Sequence, residues 1–154
     1  MMFVCQPPPP LQPGDELMVI APSGALRELT AFQAGVAIWE ARGYRVKLLP
    51  GLDAQWGYLA GRDDHRRQQL LTAWQAPTCR GILCARGGYG GTRLLENWRW
   101  PTTSPKWLIG FSDITSLLWS LSQQGIASVH GPLLTTLGQE PDWSRQRLFD
   151  WVSG

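Results

Sequence analysis

Lys106-Trp107-Leu108-Ile109-Gly110-Phe111-Ser112-Asp113-Ile114-Thr115 reads as a short apolar strand, a sharp turn and the start of a helix. After the turn, Ile114, Leu117, Leu118 and Leu121 follow the i, i+3, i+4, i+7 spacing of an amphipathic helix. Ser112 is caught between the two elements. Such a turn lifts a hydroxyl above the sheet edge and leaves the first helical N–H groups free to face a negative charge. Two readings of Ser112 stand side by side. It is the N-cap of the helix, a position serine favours, or it is a nucleophile on a strand-to-helix elbow.

Working outward, the same strand-then-helix alternation fills the chain. Strands are predicted over 16–21, 44–49, 80–85, 106–109 and 126–129. A first helix places Leu29, Phe32, Val36 and Trp39 on one face and stops at Gly43. A second is capped by Asp63 or Asp64, turns Leu70, Leu71 and Trp74 inward, and ends before Pro77. A short third helix carries Leu94, Leu95 and Trp98, and a last one runs from near Asp142 toward Val152. Residues 1–13 form a proline-rich lead-in, extended and laid on the surface or loose. Residues 14–154 form the domain. The alternation specifies an α/β fold, a mostly parallel sheet with helices on both faces. Ligands bind such sheets beyond the carboxyl ends of the strands. Pro22-Ser23-Gly24, Arg86 to Gly91, Gly110 to Asp113 and His130-Gly131-Pro132 all fall at that edge. One site built from four turns accounts for them together.

Composition removes several function classes. The chain has 154 residues, 44% apolar and 17% charged, as expected of a folded domain with a real core. A net charge of +2 without a basic block gives no footprint for nucleic acid or an anionic membrane. Arg62, Arg66 and Arg67 cluster, but Asp63 and Asp64 lie among them, and the expectation is a solvated helix face. No segment approaches the ~18 consecutive apolar residues of a membrane span. Met1 to Cys5 lacks the basic and apolar regions of a signal peptide. Cys5, Cys79 and Cys84 are odd in number with no C-x-x-C spacing, which argues against disulfides and zinc and for a cytoplasmic location.

The glycine-dense turn at Gly87 and Gly88 lets backbone approach a ligand closely. It serves as a phosphate cradle, as an oxyanion hole shared with the N–H of Asp113, or as a tight turn only. The spacing matches neither phosphate-loop pattern. A serine nucleophile needs a base and an orienting group. His65 lies among helix-surface charges and is expected in solvent. His130 is on the right edge, though Gly131-Pro132 holds it in a turn where it is equally structural. The Asp113 side chain, next to Ser112, should point elsewhere. No triad closes within the chain.

These motifs resemble the amino-terminal domain of the LD-carboxypeptidases, the serine peptidase family of the murein tetrapeptide carboxypeptidases and microcin C immunity peptidases. The matching pieces are Pro13-Gly14-Asp15, Ala21-Pro22-Ser23, Tyr58-Leu59-Ala60-Gly61 with Asp63 and Arg66, Cys84 to Gly90, Pro105 to Thr115, and His130-Gly131-Pro132. The resemblance implies a flavodoxin-like three-layer domain of the class I glutamine amidotransferase-like kind. It implies Ser112 as nucleophile and the N–H groups of Gly88 and Asp113 as oxyanion hole. Ser23, Arg86, Gly87, Tyr89 and His130 would border the pocket. The implied reaction is hydrolysis of an amide between an L-centre and a terminal D-amino acid. In the murein branch, D-alanine is released from a peptidoglycan-derived tetrapeptide during recycling, with no metal or cofactor. Family members are usually homodimers, and their second, carboxy-terminal domain supplies the Glu and His of the triad. That domain is absent here, so the half alone is expected to be inactive. Two origins fit: a cut piece, or a gene encoding only this half. A non-catalytic binding module derived from the fold and a small nucleotide-binding protein are the rival readings.

Overall fold

Alternation along the first strand, β1 (Glu16–Ile20), sends Leu17 and Val19 into one apolar layer and Met18 and Ile20 into another. β3 (Cys79–Cys84) and β4 (Trp107–Gly110) split their side chains in the same way. Central strands buried on both faces are the mark of a parallel sheet covered by helices. The computed structural model describes residues 4–154. Most of the stretch compared above with a signal peptide lies outside the described residues. With β2 (Arg45–Leu48) and β5 (Val129–His130), the sheet has the order β2-β1-β3-β4-β5, every pair parallel. This is the flavodoxin-like order, with its topological switch between β1 and β3.

Helices α1 (Leu29–Ala41), α5 (Leu134–Leu137) and α6 (Asp142–Ser153) cover one face through Phe32, Trp39, Leu134, Leu148 and Phe149. Helices α2 (Asp63–Gln75), α3 (Gly91–Leu94) and α4 (Thr115–Ser122) cover the other through Leu70, Trp74, Leu94, Leu117 and Leu121. Trp39 packs edge-on against Tyr44 and Phe149, with ring centroids 5.5 and 4.8 Å away. Each fully buried side chain of this size contributes roughly 1.5–3 kcal/mol, so the aromatic cluster is a main anchor of α1 and α6.

Several expectations are corrected. The fifth strand is shorter and later than 126–129, because Ile126 bridges in parallel to Gln6 instead. Leu29 is 58% exposed, since the inward face of α1 runs through Phe32, Gly35 and Trp39. Neither Asp63 nor Asp64 caps α2. Arg62 holds the cap position, and both carboxylates sit in the first turn, where the helix dipole favours them. Leu71 is only half-buried, while Trp98 and Trp100 stack edge-on beyond the short α3. Helix α5 was not anticipated. It crosses α1 at Gly35, where a Cβ would stand 2.0 Å from the Leu134 carbonyl oxygen.

The proline lead-in is bound to the fold. Gln6 N–H donates to Gly125 O at 2.8 Å, Leu11 N–H to Val152 O at 2.7 Å, and Trp107 Nε1 to Pro9 O at 2.9 Å. Leu11 is buried in the core. Among the described residues, no helix is long and apolar enough to cross a membrane.

Candidate active site

The turns that follow β1, β3, β4 and β5 meet at the carboxyl edge of the sheet. At their centre Ser112 adopts φ +62°, a left-handed conformation that costs a non-glycine residue roughly 1–2 kcal/mol. It opens a single 3-10 turn (Ser112–Ile114) ahead of α4, with Phe111 in the cap position and no side-chain cap. The capping reading of Ser112 is therefore replaced: its hydroxyl is exposed and bonded to no group among the described residues. Gly131 N–H reaches across to Gly110 O at 3.1 Å and ties the turn after β5 to this elbow.

Gly87 lies flush against the serine. A Cβ there would stand 3.1 Å from Ser112 Cβ and 3.2 Å from Ser112 Oγ. Gly88 follows at φ +121°, and a Cβ there would press on Gly24 at 3.2 Å. The same approach lets Gly24 N–H donate to Gly87 O at 2.9 Å. Gly88 N–H has no acceptor among the described residues. The N–H of Asp113 sits in the first turn of the helical segment, where intrahelical acceptors are lacking.

The Asp113 side chain does turn away from Ser112, and it has a definite destination. Its Oδ2 accepts from Ser23 Oγ at 2.6 Å and from Gly91 N–H at 2.7 Å. Ser23 is fully buried by this bond and is not a wall of the cleft. Behind it, Arg66 corrects the solvated-face expectation, since its side chain is 0% exposed. Its Nη1 donates to Pro22 O and to Gly90 O at 2.9 Å, its Nε to Gly61 O at 3.1 Å, and its Nη2 to Asp63. Burial pulls the guanidinium below its usual value, opposed by Asp63. Arg67 likewise donates to Leu94 O and Arg93 O. These bonds satisfy loop carbonyls that an apolar residue would leave stranded.

The remaining candidates scatter around this centre. Arg86 is half-buried, pairs with Glu28 at 3.2 Å and donates to Ala25 O. Tyr89 is exposed and meets Tyr58 edge-on. His130 ends β5, exposed, its ring 6.1 Å from that of Phe111, with no hydrogen bond to Ser112 among the described residues. His65 is not free in solvent: it is half-buried, with Nε2 3.1 Å from Gly51 O. A cleft of about 350 Å³ opens over Ser112, floored by Gly87 and Gly88 and walled by Glu28, Arg86, Leu133 and Thr136. A hollow of about 360 Å³ adjoins it through Arg86 and Gly88, between Tyr58 and Tyr89. A larger cleft, about 650 Å³, lies at the other edge of the sheet among Pro7, Pro9, Trp107 and Trp151, away from these groups. Among the described residues no cluster of His, Cys, Asp or Glu could hold a metal ion.

Among the described residues, the site offers a strained, bare hydroxyl beside free backbone donors, with no base within hydrogen-bond reach. Residues 17–131 match the peptidase S66 family, described as LD-carboxypeptidase N-terminal domain. A Synechocystis protein, named provisionally as a carboxypeptidase, is 58% identical over 96% of this chain and 49% of its own length. The murein tetrapeptide carboxypeptidase of Pseudomonas aeruginosa is 36% identical over 84% of this chain and 43% of its own length. Among solved structures, the muramoyltetrapeptide carboxypeptidase of Oxalobacter formigenes aligns with a TM-score of 0.78 at 25% identity, over 90% of this chain and 48% of that one. The microcin C7 self immunity protein MccF, solved with glutamyl sulfamoyl guanosine, shares the fold with a TM-score of 0.88 at 22% identity, over 96% of this chain and 47% of its own. The chain thus spans about half the length of the relatives it matches. On its sequence and its fold together, this chain belongs to the LD-carboxypeptidase family, which it matches through the N-terminal domain.

Proposed function

We propose that this chain is the nucleophile-bearing half of a serine LD-carboxypeptidase that releases terminal D-alanine from murein tetrapeptide in peptidoglycan recycling. The observation that carries the reading is Ser112 itself, held at φ +62° with an unbonded hydroxyl against Gly87 at the floor of a cleft. Ser112 Oγ attacks the carbonyl carbon of the L-D amide. The oxyanion that forms is met by the N–H groups of Gly88 and Asp113, a kind of donor worth roughly 2.7–4 kcal/mol each in the transition state. The C–N bond then breaks, the amine of D-alanine leaves with a proton, and water hydrolyses the acyl-serine. The general base and its orienting carboxylate are a His and a Glu of a second domain, and the active protein is a homodimer. The cytoplasm is the proposed compartment, a reading supported by three free thiols.

The test is D-alanine release from an LD-tetrapeptide by the chain alone, by the chain mixed with the second half of the Synechocystis relative, and by the Ser112→Ala mixture. Release is expected only in the wild-type mixture. Robust release by the chain alone, lost in His130→Ala, would move the base into this half. No release and no labelling by a serine-directed phosphonate, even in the mixture, would make the chain a non-catalytic binding module.

A further inference from the structure

Two charged side chains behind the elbow grip the same pieces of backbone from opposite ends. Gly90 O and Gly91 N–H belong to one peptide unit. Arg66 Nη1 holds its oxygen at 2.9 Å, and Asp113 Oδ2 holds its N–H at 2.7 Å. The turn after β1 is held likewise, Pro22 O by Arg66 and the Ser23 hydroxyl by Asp113. Arg66 and Ser23 are both fully buried, so the donor side of the grip on the turn after β1 is shielded from water. Between the gripped peptide and the cleft lie Gly88 at φ +121° and Gly90 at φ +101°, positions with little conformational preference of their own. Nothing intrinsic to that glycine run fixes where the Gly88 N–H points. The Gly24 N–H bond to Gly87 O, on the same peptide unit, and the grip on Gly90–Gly91 do so from either side, and the Asp113 carboxylate next to Ser112 holds both the turn that carries Gly24 and Gly91.

We propose that Asp113 and Arg66 are positioning residues, which lock the glycine turn and the Ser112 elbow into one register so that the Gly88 N–H faces the serine. This rests on the reading of Ser112 as nucleophile. Because both donors meet a single oxygen, an amide carbonyl in its place keeps the geometry and loses only the charge assistance, which roughly doubles such bonds. Misplacing a catalytic donor by about 1 Å is enough to lower a rate about a hundredfold.

The experiment measures the rate at which a fluorophosphonate labels Ser112 in the full chain, alongside melting temperature and the amide resonances of Gly88 and Gly91. Ser112 Oγ displaces fluoride at phosphorus, and the hydroxyl proton passes to solvent. Ser23→Ala and Asp113→Ala are expected to label at least about tenfold more slowly and to displace both amide resonances, while Asp113→Asn stays within about threefold of wild type. Val152→Ala, in the core beside Leu11 at the far edge of the sheet, lowers melting without slowing labelling. If Ser23→Ala and Asp113→Ala label as fast as Val152→Ala, the proposal is wrong. Where the wild type labels only when mixed with the second half of the Synechocystis relative, the variants are compared in that mixture, and if it does not label even there, the nucleophile reading has failed instead. Displacement of the Gly88 resonance in Ser23→Ala then still upholds the lock, and an unmoved resonance overturns it.

Discussion

Replacing Arg66 by methionine removes the guanidinium and keeps most of its aliphatic volume, so lost hydrogen bonds are measured without a large cavity. The side chain is 0% exposed and donates to three carbonyls, of Pro22, Gly61 and Gly90, and to Asp63. Hydrogen bonds from a charged donor contribute about 1.5–3 kcal/mol each, and breaking a buried ion pair costs about 3–5 kcal/mol. The contributions are not additive, because each carbonyl has a second lone pair and water enters the opened loop. A loss of about 4 kcal/mol is the resulting expectation, a large share of the roughly 5–15 kcal/mol that holds a domain folded. For a domain of this size, each kcal/mol lowers the melting temperature by about 2–4 °C, so Arg66→Met should melt about 8–16 °C below wild type. Thermal unfolding followed by circular dichroism reads it directly, and the urea midpoint gives an independent value. Melting within about 3 °C of wild type would refute the reasoning, since a solvated arginine gives that result.

Gly87→Ala should leave the melting temperature within a few degrees of wild type and slow phosphonate labelling of Ser112 by about tenfold or more, because the added methyl stands 3.2 Å from Ser112 Oγ. The carboxyl of Asp63 gives the acid side of the stability curve. Burial pushes it up, but hydrogen bonds from Arg66 and Arg93 outweigh this and hold it below its ordinary 3.8. A depressed carboxyl stabilises fully above its unfolded value, and the contribution fades as pH falls through the lower folded value. Urea midpoints measured from neutral pH downward should therefore fall below about pH 4 in wild type and fall less steeply in Asp63→Asn.

The sheet was legible because its central strands are short apolar runs ended by turn residues, and Leu17 to Ile20, Ile82 to Cys84 and Trp107 to Ile109 have no competing reading. Its edges were less so. Ile126 has strand character but finds its partner in Gln6, more than a hundred residues away, which no local pattern can register. Helix α5 is one turn long and exists by packing on α1, and a lone glycine at Gly35 was its only trace. The elbow and the glycine turn declared themselves through residue type. At Arg66 charge points to solvent and the helical period points inward, and the period wins. Positions 66, 70, 73 and 74 follow the inward spacing of α2, and the arginine stands on that stripe with Leu70, Ala73 and Trp74. The Asp113 carboxylate could be seen to point away from Ser112, but its partners come from turns separated by 90 and 22 positions and appear only in the fold.

The left-handed backbone at Ser112 has a meaning for the history of the chain. Glycine would occupy φ +62° without strain, so at this position the most stabilising residue is one that carries no hydroxyl. Drift under selection for stability alone runs toward losing the serine, and the pull is worth roughly 1–2 kcal/mol. Stability and chemistry therefore compete for a single side chain. A lineage released from the chemistry would be expected to give up its serine here sooner than the glycines around it.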